Sequence, residues 1–204
     1  MKVNIPEKWS EITLRQFQKY NVEVRKDINE TTKLIQTIST LCNISFEDTC
    51  KMSIKDITKL SGYISELLQL KPETHIMIFQ YEGVKYGFIP KLDDISIGEY
   101  ADLEHYLSDT ENMWNNMHFI MSILYREIEE EKDGKYRIAE YTPCDKRANI
   151  FKNIGMNVVY SASNFFLTLG GELLEIIGNS TQNKKEILKQ LKEMNGDGSK
   201  LSTI

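Results

Sequence analysis

The sequence predicts a mainly helical α+β fold, with helices packed around a β-hairpin or a small antiparallel sheet. Most of the chain repeats its apolar residues at the spacing of one face of an α-helix. The stretch at about 76-89 instead carries β-branched and aromatic residues on both sides of Glu82-Gly83, which has the composition of a tight hairpin turn. An isolated hairpin is only marginally stable in water, so we expect the flanking helices to support it.

Composition indicates a globular, soluble protein made in the cytoplasm. The 204 residues are 41% hydrophobic and 27% charged, with the charges spread along the chain, which is not the composition of a disordered protein. No apolar run reaches about 18 residues, and the first residues lack the apolar core of a signal peptide. The formal net charge of -5 argues against a general nucleic-acid binder, which needs clustered Lys and Arg, although a local basic patch remains compatible with it.

Three segments are predicted: an extended N-terminal arm at 1-12, a single helical α+β domain at 13-180, and a short basic helix with a flexible tail at 181-204. Pro6 and the aperiodic apolar residues around it predict the arm, with Trp9 as its anchor. Thr13 and Gln16 have the spacing of a capping box, so the first helix should begin at Thr13.

The remaining helices follow from apolar periodicity and from capping residues such as Ser53 and the Ser96–Glu99 pair. Further helices are predicted at 29–41, 45–52, 53–71, 96–107, 110–126 and 143–169, with a last one at 183–194. A second, more exposed hairpin is predicted at 127–141, because Asp133-Gly134 is a turn signal before an alternating stretch. That hairpin could extend the first one into a small sheet.

The titratable residues lack the spacing of a metal or nucleophilic site, so we predict no metal and no cofactor. The histidines His75, His105 and His118 show neither HxH nor HxxxH spacing. The cysteines are odd in number and lack CxxC spacing, which favours reduced, mostly buried thiols over a disulfide framework. These cysteines are Cys42, Cys50 and Cys144.

The densest acidic group allows two interpretations. Its members are Asp93, Asp94, Glu99, Asp102 and Glu104. Paired carboxylates can perform acid–base chemistry when burial separates their pKa values, and Asp102 with His105 would be the pair to test. We favour the structural interpretation, in which the acids cap the helix and complement the positive end of its dipole.

Partner contacts are predicted for the peripheral elements, which are the arm, the charged hairpin and the basic C-terminal helix. The predicted partner-binding residues are Trp9, Tyr136, Tyr141, Lys184, Lys185, Ile187, Leu188 and Leu191. The stripe of Met113, Met117 and Met121 could also be an adaptable binding face, but core packing is the favoured interpretation.

Five short segments carry a resemblance to a known group of proteins. They are Ile5-Pro6-x-x-Trp9-x-Glu11-Ile12-Thr13, Tyr86-Gly87-Phe88-Ile89, Gly98-Glu99-Tyr100-Ala101-Asp102-Leu103, Met121-Ser122-Ile123-Leu124-Tyr125-Arg126 and Phe165-Phe166. On these segments the sequence resembles proteins encoded among the virion-structure and assembly genes of tailed bacteriophages, notably crAss-like phages.

The resemblance implies a non-enzymatic phage protein that acts through protein contacts and is located in the virion. We favour a ring or connector component near the portal and tail, forming a homo-oligomeric ring with portal, tail or neighbouring ring subunits as partners. A tail assembly chaperone and a packaged cargo protein are the alternatives within this class. The alternative from another class is an enzyme that uses the acidic group near Asp102.

Overall fold

The computed structural model describes residues 3–70, 75–90, 95–108 and 112–163. It confirms the predicted fold class, because helices surround a small antiparallel sheet. The helices are α1 Leu14–Val24, α2 Glu30–Leu41, α3 Phe46–Cys50, α4 Ile54–Gln69, α5 Ile97–Ser108, α6 Met113–Leu124 and α7 Asp145–Phe151, and a helix α8 begins at residue 156 and is described to 163. The strands are β1 Ile78–Tyr81, β2 Val84–Phe88, β3 Tyr125–Lys132 and β4 Lys135–Ile138.

Local capping chemistry starts several helices where the sequence predicted. The Thr13 hydroxyl accepts a hydrogen bond from the Gln16 backbone N–H, while the Gln16 side chain accepts one from the Thr13 backbone N–H, completing a capping box. Ser53 caps α4 through the backbone N–H of Asp56. These side chains satisfy N–H groups that have no partner within the helix, so each helix begins at a definite residue.

The sheet joins the two predicted hairpins in the order β1-β2-β3-β4, with every neighbouring pair antiparallel. Both turns place two consecutive residues at positive φ: Glu82 at 47° and Gly83 at 81°, then Asp133 at 52° and Gly134 at 73°. A two-residue turn of this kind matches the right-handed twist of its strands. Because β2 pairs with β3, the second hairpin extends the first into one sheet.

The two faces of the sheet have different environments. Phe79, Tyr86 and Tyr125 lie on one face and pack against Phe151 of α7, with ring centroids 5.3 to 6.5 Å apart. Gly87 lies on the other face, where a Cβ atom would come within 2.5 Å of the Tyr136 ring. Only a glycine leaves room there for that ring, so the backbone of β2 and the aromatic ring of β4 are in close contact.

The predicted long helix at 143–169 is wrong in its described part. The chain leaves α7 after Phe151, and α8 begins at residue 156. Between the two helices, Ile154 and Lys152 accept backbone hydrogen bonds from Leu14 and Arg15. Gly155 forms a bridge with Thr13. Residues 12–15 cross the chain here and use backbone groups that a continuous helix would need for itself; positions 164–169 lie outside the described residues.

Two other boundaries differ from prediction. The helix predicted to end at Arg126 ends at Leu124, because Tyr125 and Arg126 pair with β2 as the first residues of β3. The arm is not a detached element: Trp9 and Ile12 are buried, and residues 9–11 form one turn of 3-10 helix. Trp9, the predicted anchor of the arm, and Ile12 are therefore part of the core of the domain.

Candidate functional site

A buried ion pair connects α5 to β3. Arg126 Nη1 lies 2.6 Å from Glu99 Oε1, and the two side chains are 8% and 5% exposed. Glu99 also accepts a hydrogen bond from the Ser96 backbone N–H at 2.7 Å, as the predicted capping box requires. Burial lowers the pKa of Arg126 and the Glu99 carboxylate raises it, but its usual value is so high that the guanidinium stays charged.

Arg147 of α7 lies close to this pair and holds three separate parts of the chain. Its Nε donates to the Ser122 carbonyl at 3.1 Å and its Nη2 donates to the Thr142 carbonyl at 2.8 Å. Glu127 lies 3.6 Å from its Nη1 and compensates its charge. Both buried arginines thus have acidic neighbours within the domain, an arrangement that fixes helices against the sheet.

The acidic group is used structurally where the structure describes it. Asp102 accepts a hydrogen bond from the Tyr141 hydroxyl, and burial together with this bond raises the pKa of Tyr141. His105, on the same helix, is exposed and packs edge-on against the Tyr106 ring. Asp93 and Asp94 lie outside the described residues. No described contact brings His105 to the Asp102 carboxylate, so this geometry does not favour the pair as an acid–base site.

The cysteines differ in their surroundings and are unpaired. Burial raises the pKa of the Cys42 thiol to about 11, so it stays protonated at neutral pH. Cys50 is exposed and Cys144 is half-buried, so the prediction of mostly buried thiols holds only for Cys42.

Across the described ranges, no group of three or more His, Cys, Asp or Glu side chains could hold a metal ion. In the same ranges, none of the helices is long and apolar enough to cross a membrane.

The predicted partner-binding residues have three different environments. Trp9 is 7% exposed and belongs to the core, so its ring is not available to a partner in this conformation. Tyr136 and Tyr141 are half-buried, and their hydroxyls donate within the domain, to the Phe88 carbonyl and to Asp102. Five of the predicted residues lie outside the described residues: Lys184, Lys185, Ile187, Leu188 and Leu191. The methionine stripe of α6 is buried, as the core interpretation predicts.

Both hairpins of the sheet carry accessible side chains. Met77, Ile78 and Val84, in or beside the first hairpin, are 37% to 40% exposed. The outer half of the second hairpin is exposed and mainly acidic, with Arg137 held between Glu129 and Glu130 at 2.7 and 2.9 Å. An ion pair between Lys85 and Glu131 at 2.6 Å joins the two hairpins.

Sequence reasoning missed the positions that the sheet edges make accessible. Ile78 of β1 and Ile138 of β4 lie in the two outermost strands. Apolar alternation marked both stretches as strands, but alternation alone does not tell which strands are outermost. That property depends on the pairing of β2 with β3, which lie far apart in the sequence.

His118 provides a test of the packing between α1 and α6. Its Nδ1 lies 3.2 Å from Gln18 Nε2, and burial lowers the pKa of His118 to about 4. The charges of Lys152 and Arg15 lower the pKa further, while a hydrogen bond with the Asn115 backbone and the charge of Asp145 raise it by smaller amounts. The folded protein therefore keeps this imidazole neutral at a pH where the unfolded chain binds a proton.

Stability is expected to fall as the pH drops from about 6.5 to 4, and His118 should account for about 1 to 3 kcal/mol of that loss. The sign follows because only the unfolded state binds the proton in this range. The measurement is urea unfolding at pH 7 and pH 4.5 for the wild type and for His118→Gln. Because the carboxylates titrate in both proteins, equal losses in the two would contradict the prediction.

Comparisons with protein-family models, with curated proteins and with solved structures find no match for this chain.

Proposed function

We propose that this chain is a non-enzymatic structural protein of a tailed-phage virion, and more specifically a ring or connector component near the portal and tail. The sequence supports this through its resemblance to virion-structure and assembly proteins. The observation that carries the proposal is the small sheet, whose two outermost strands have no further strand paired to them among the described residues and bear partly exposed isoleucines. An open strand edge is a template for pairing with another chain.

The charge distribution supports a role in contacts between proteins. The second hairpin carries Glu129, Glu130, Glu131 and Asp133 at its exposed end, whereas the first hairpin carries apolar side chains at its edge. Two surfaces of different chemistry on one domain suit a heterologous interface, in which each subunit presents a different patch to each neighbour. Repetition of such an interface closes a ring when the rotation between subunits allows it.

The proposed function predicts that the protein is a stoichiometric component of purified virions, with ordered, symmetric density at the portal vertex. Mass spectrometry of the particles followed by symmetry-resolved imaging of that vertex measures both. Absence from mature particles would contradict the proposal in favour of an assembly chaperone. Presence without ordered density would contradict it in favour of a packaged cargo protein.

A further inference from the structure

In each outermost strand, two residues direct their backbone N–H and C=O groups away from the sheet. In β1 these residues follow from the pairing with β2. Tyr81 and Val84 flank the first turn as a paired position, and the Phe88 N–H donates to the Met77 carbonyl at 2.8 Å. Because hydrogen-bonded and open positions alternate along an antiparallel pair, the backbone groups of Ile78 and Gln80 face outward.

The same reasoning applies to β4 at the opposite edge. Lys132 and Lys135 flank the second turn, and the Ala139 N–H donates to the Glu127 carbonyl at 2.9 Å. The backbone groups of Tyr136 and Ile138 therefore face outward. Within the described parts of the chain, no residue pairs with the outer side of either strand.

The direction of the strands suits continuation from one copy to the next. The sheet has four strands, all neighbours are antiparallel, and β1 consequently runs opposite to β4. When β1 of a second copy lies beside β4, the alternation continues without interruption. A sheet of an odd number of alternating strands would instead place parallel strands side by side.

The side chains at the two edges are also compatible. Ile78 is level with Gly87, which lies under Tyr136 and Ile128, and Ile128 is level with Ile138. Ile78 and Ile138 therefore lie on the same face of the sheet, and Ile78 is 37% exposed. Aliphatic residues directly opposite one another stabilise an antiparallel pair.

Strand direction and the apolar pair of Ile78 with Ile138, rather than charge, favour a second copy as the occupant of the edge. In this register Glu82 of one copy lies opposite Gly134 of the next, between Asp133 and Lys135. One of these neighbours has the same charge as Glu82 and the other the opposite charge, so their effects offset each other. No charged side chain lies within Ile78–Tyr81 of β1, so the paired strands themselves bring no like charges together.

We infer that copies of this chain join head to tail by antiparallel pairing of β1 in one copy with β4 in the next, with Ile78 opposite Ile138 and Gln80 opposite Tyr136. The inference rests on the proposed ring function and identifies its subunit interface. Because the two edges differ, the interface is heterologous and the same contact repeats from copy to copy.

Disulfide trapping tests the pairing directly in the full-length protein. Ile78→Cys and Ile138→Cys are made separately in a background with Cys50→Ser and Cys144→Ser, and the two proteins are mixed and oxidised. Hydrogen-bonded antiparallel positions lie about 5.5 Å apart between Cα atoms, which suits a disulfide. We expect a cross-linked dimer in the mixture and little in either protein alone. A main product joining two Ile78→Cys chains, or no dimer in any sample, would overturn the inference.

A charge substitution with a matched control gives a second measurement. Ile78→Lys should weaken self-association about tenfold or more in light scattering over a concentration series, because it places a charge in the apolar pair. Ile54→Lys makes the same change at a helix start that is 86% exposed and should leave association unchanged. Equal effects of the two substitutions would contradict the pairing of β1 with β4 of the next copy.

Imaging of virions separates failure of this inference from failure of the proposed function. An ordered ring in particles assembled from Ile78→Lys protein would overturn the strand pairing and leave the ring function in place. A cross-link between positions 78 and 138, together with absence of the protein from virions, would support the pairing and overturn the proposed function.

Discussion

Replacing Arg126 with Met is expected to lower the free energy of unfolding by about 3 to 5 kcal/mol, because it leaves the Glu99 carboxylate buried without its cation. Glu99 is 5% exposed and lies 2.6 Å from the guanidinium, so water cannot readily replace the lost partner. Chemical denaturation of the full-length protein measures the change. Arg137→Met is the control: it removes an exposed arginine that pairs with two glutamates, and little change is expected there because surface ion pairs contribute little.

A double variant separates the cost of an unpaired charge from the value of the pair itself. Glu99→Leu combined with Arg126→Met removes both charges, and its loss of stability should be smaller than that of Arg126→Met alone. Glu99 also caps α5 through the Ser96 backbone N–H, so the double variant should still lose the contribution of the cap. A double variant at least as unstable as the single one would show that the pair contributes to stability beyond compensating its own burial.

Replacing Trp9 with Ala is expected to lower the free energy of unfolding by about 3 to 5 kcal/mol, the usual cost of truncating a buried aromatic residue. The Trp9 ring lies 4.7 Å from the Tyr160 ring and 6.1 Å from the Phe17 ring, measured between centroids. Its indole N–H donates to the Leu70 carbonyl at 3.1 Å. Thermal and chemical unfolding of the variant measure the loss.

Tyr63→Ala is a suitable control, since that ring is 41% exposed and its truncation should cost much less. If the two variants were equally stable, Trp9 would not contribute to the core, and the sequence-based expectation of a partner-binding arm would be favoured.

The burial of Trp9 and Ile12 changes the expected effect of removing the N-terminal arm. Deletion of residues 1–9 should destabilise the monomer, whereas a detached arm would leave it folded.

The local features of the fold follow from short stretches of the sequence. The Glu82-Gly83 and Asp133-Gly134 turns form because Gly tolerates positive φ, and Asp133 belongs to a residue type that also enters the left-handed region. The Thr13 and Ser53 caps form because a hydroxyl one turn away satisfies a free backbone N–H. Each of these features depends on residues within about four positions, so the sequence pattern contains all that is needed.

The features that join distant parts of the chain depend on long-range packing. The ion pair between Glu99 and Arg126, the packing of Trp9 on Tyr160, and the break between α7 and α8 all depend on such contacts. The helical period continues through residues 152–155, but residues 12–15 take the backbone hydrogen bonds there. Local periodicity describes which side of a segment is apolar, whereas its partner is selected by packing and hydrogen bonding of the whole chain, which is why these contacts could not be predicted.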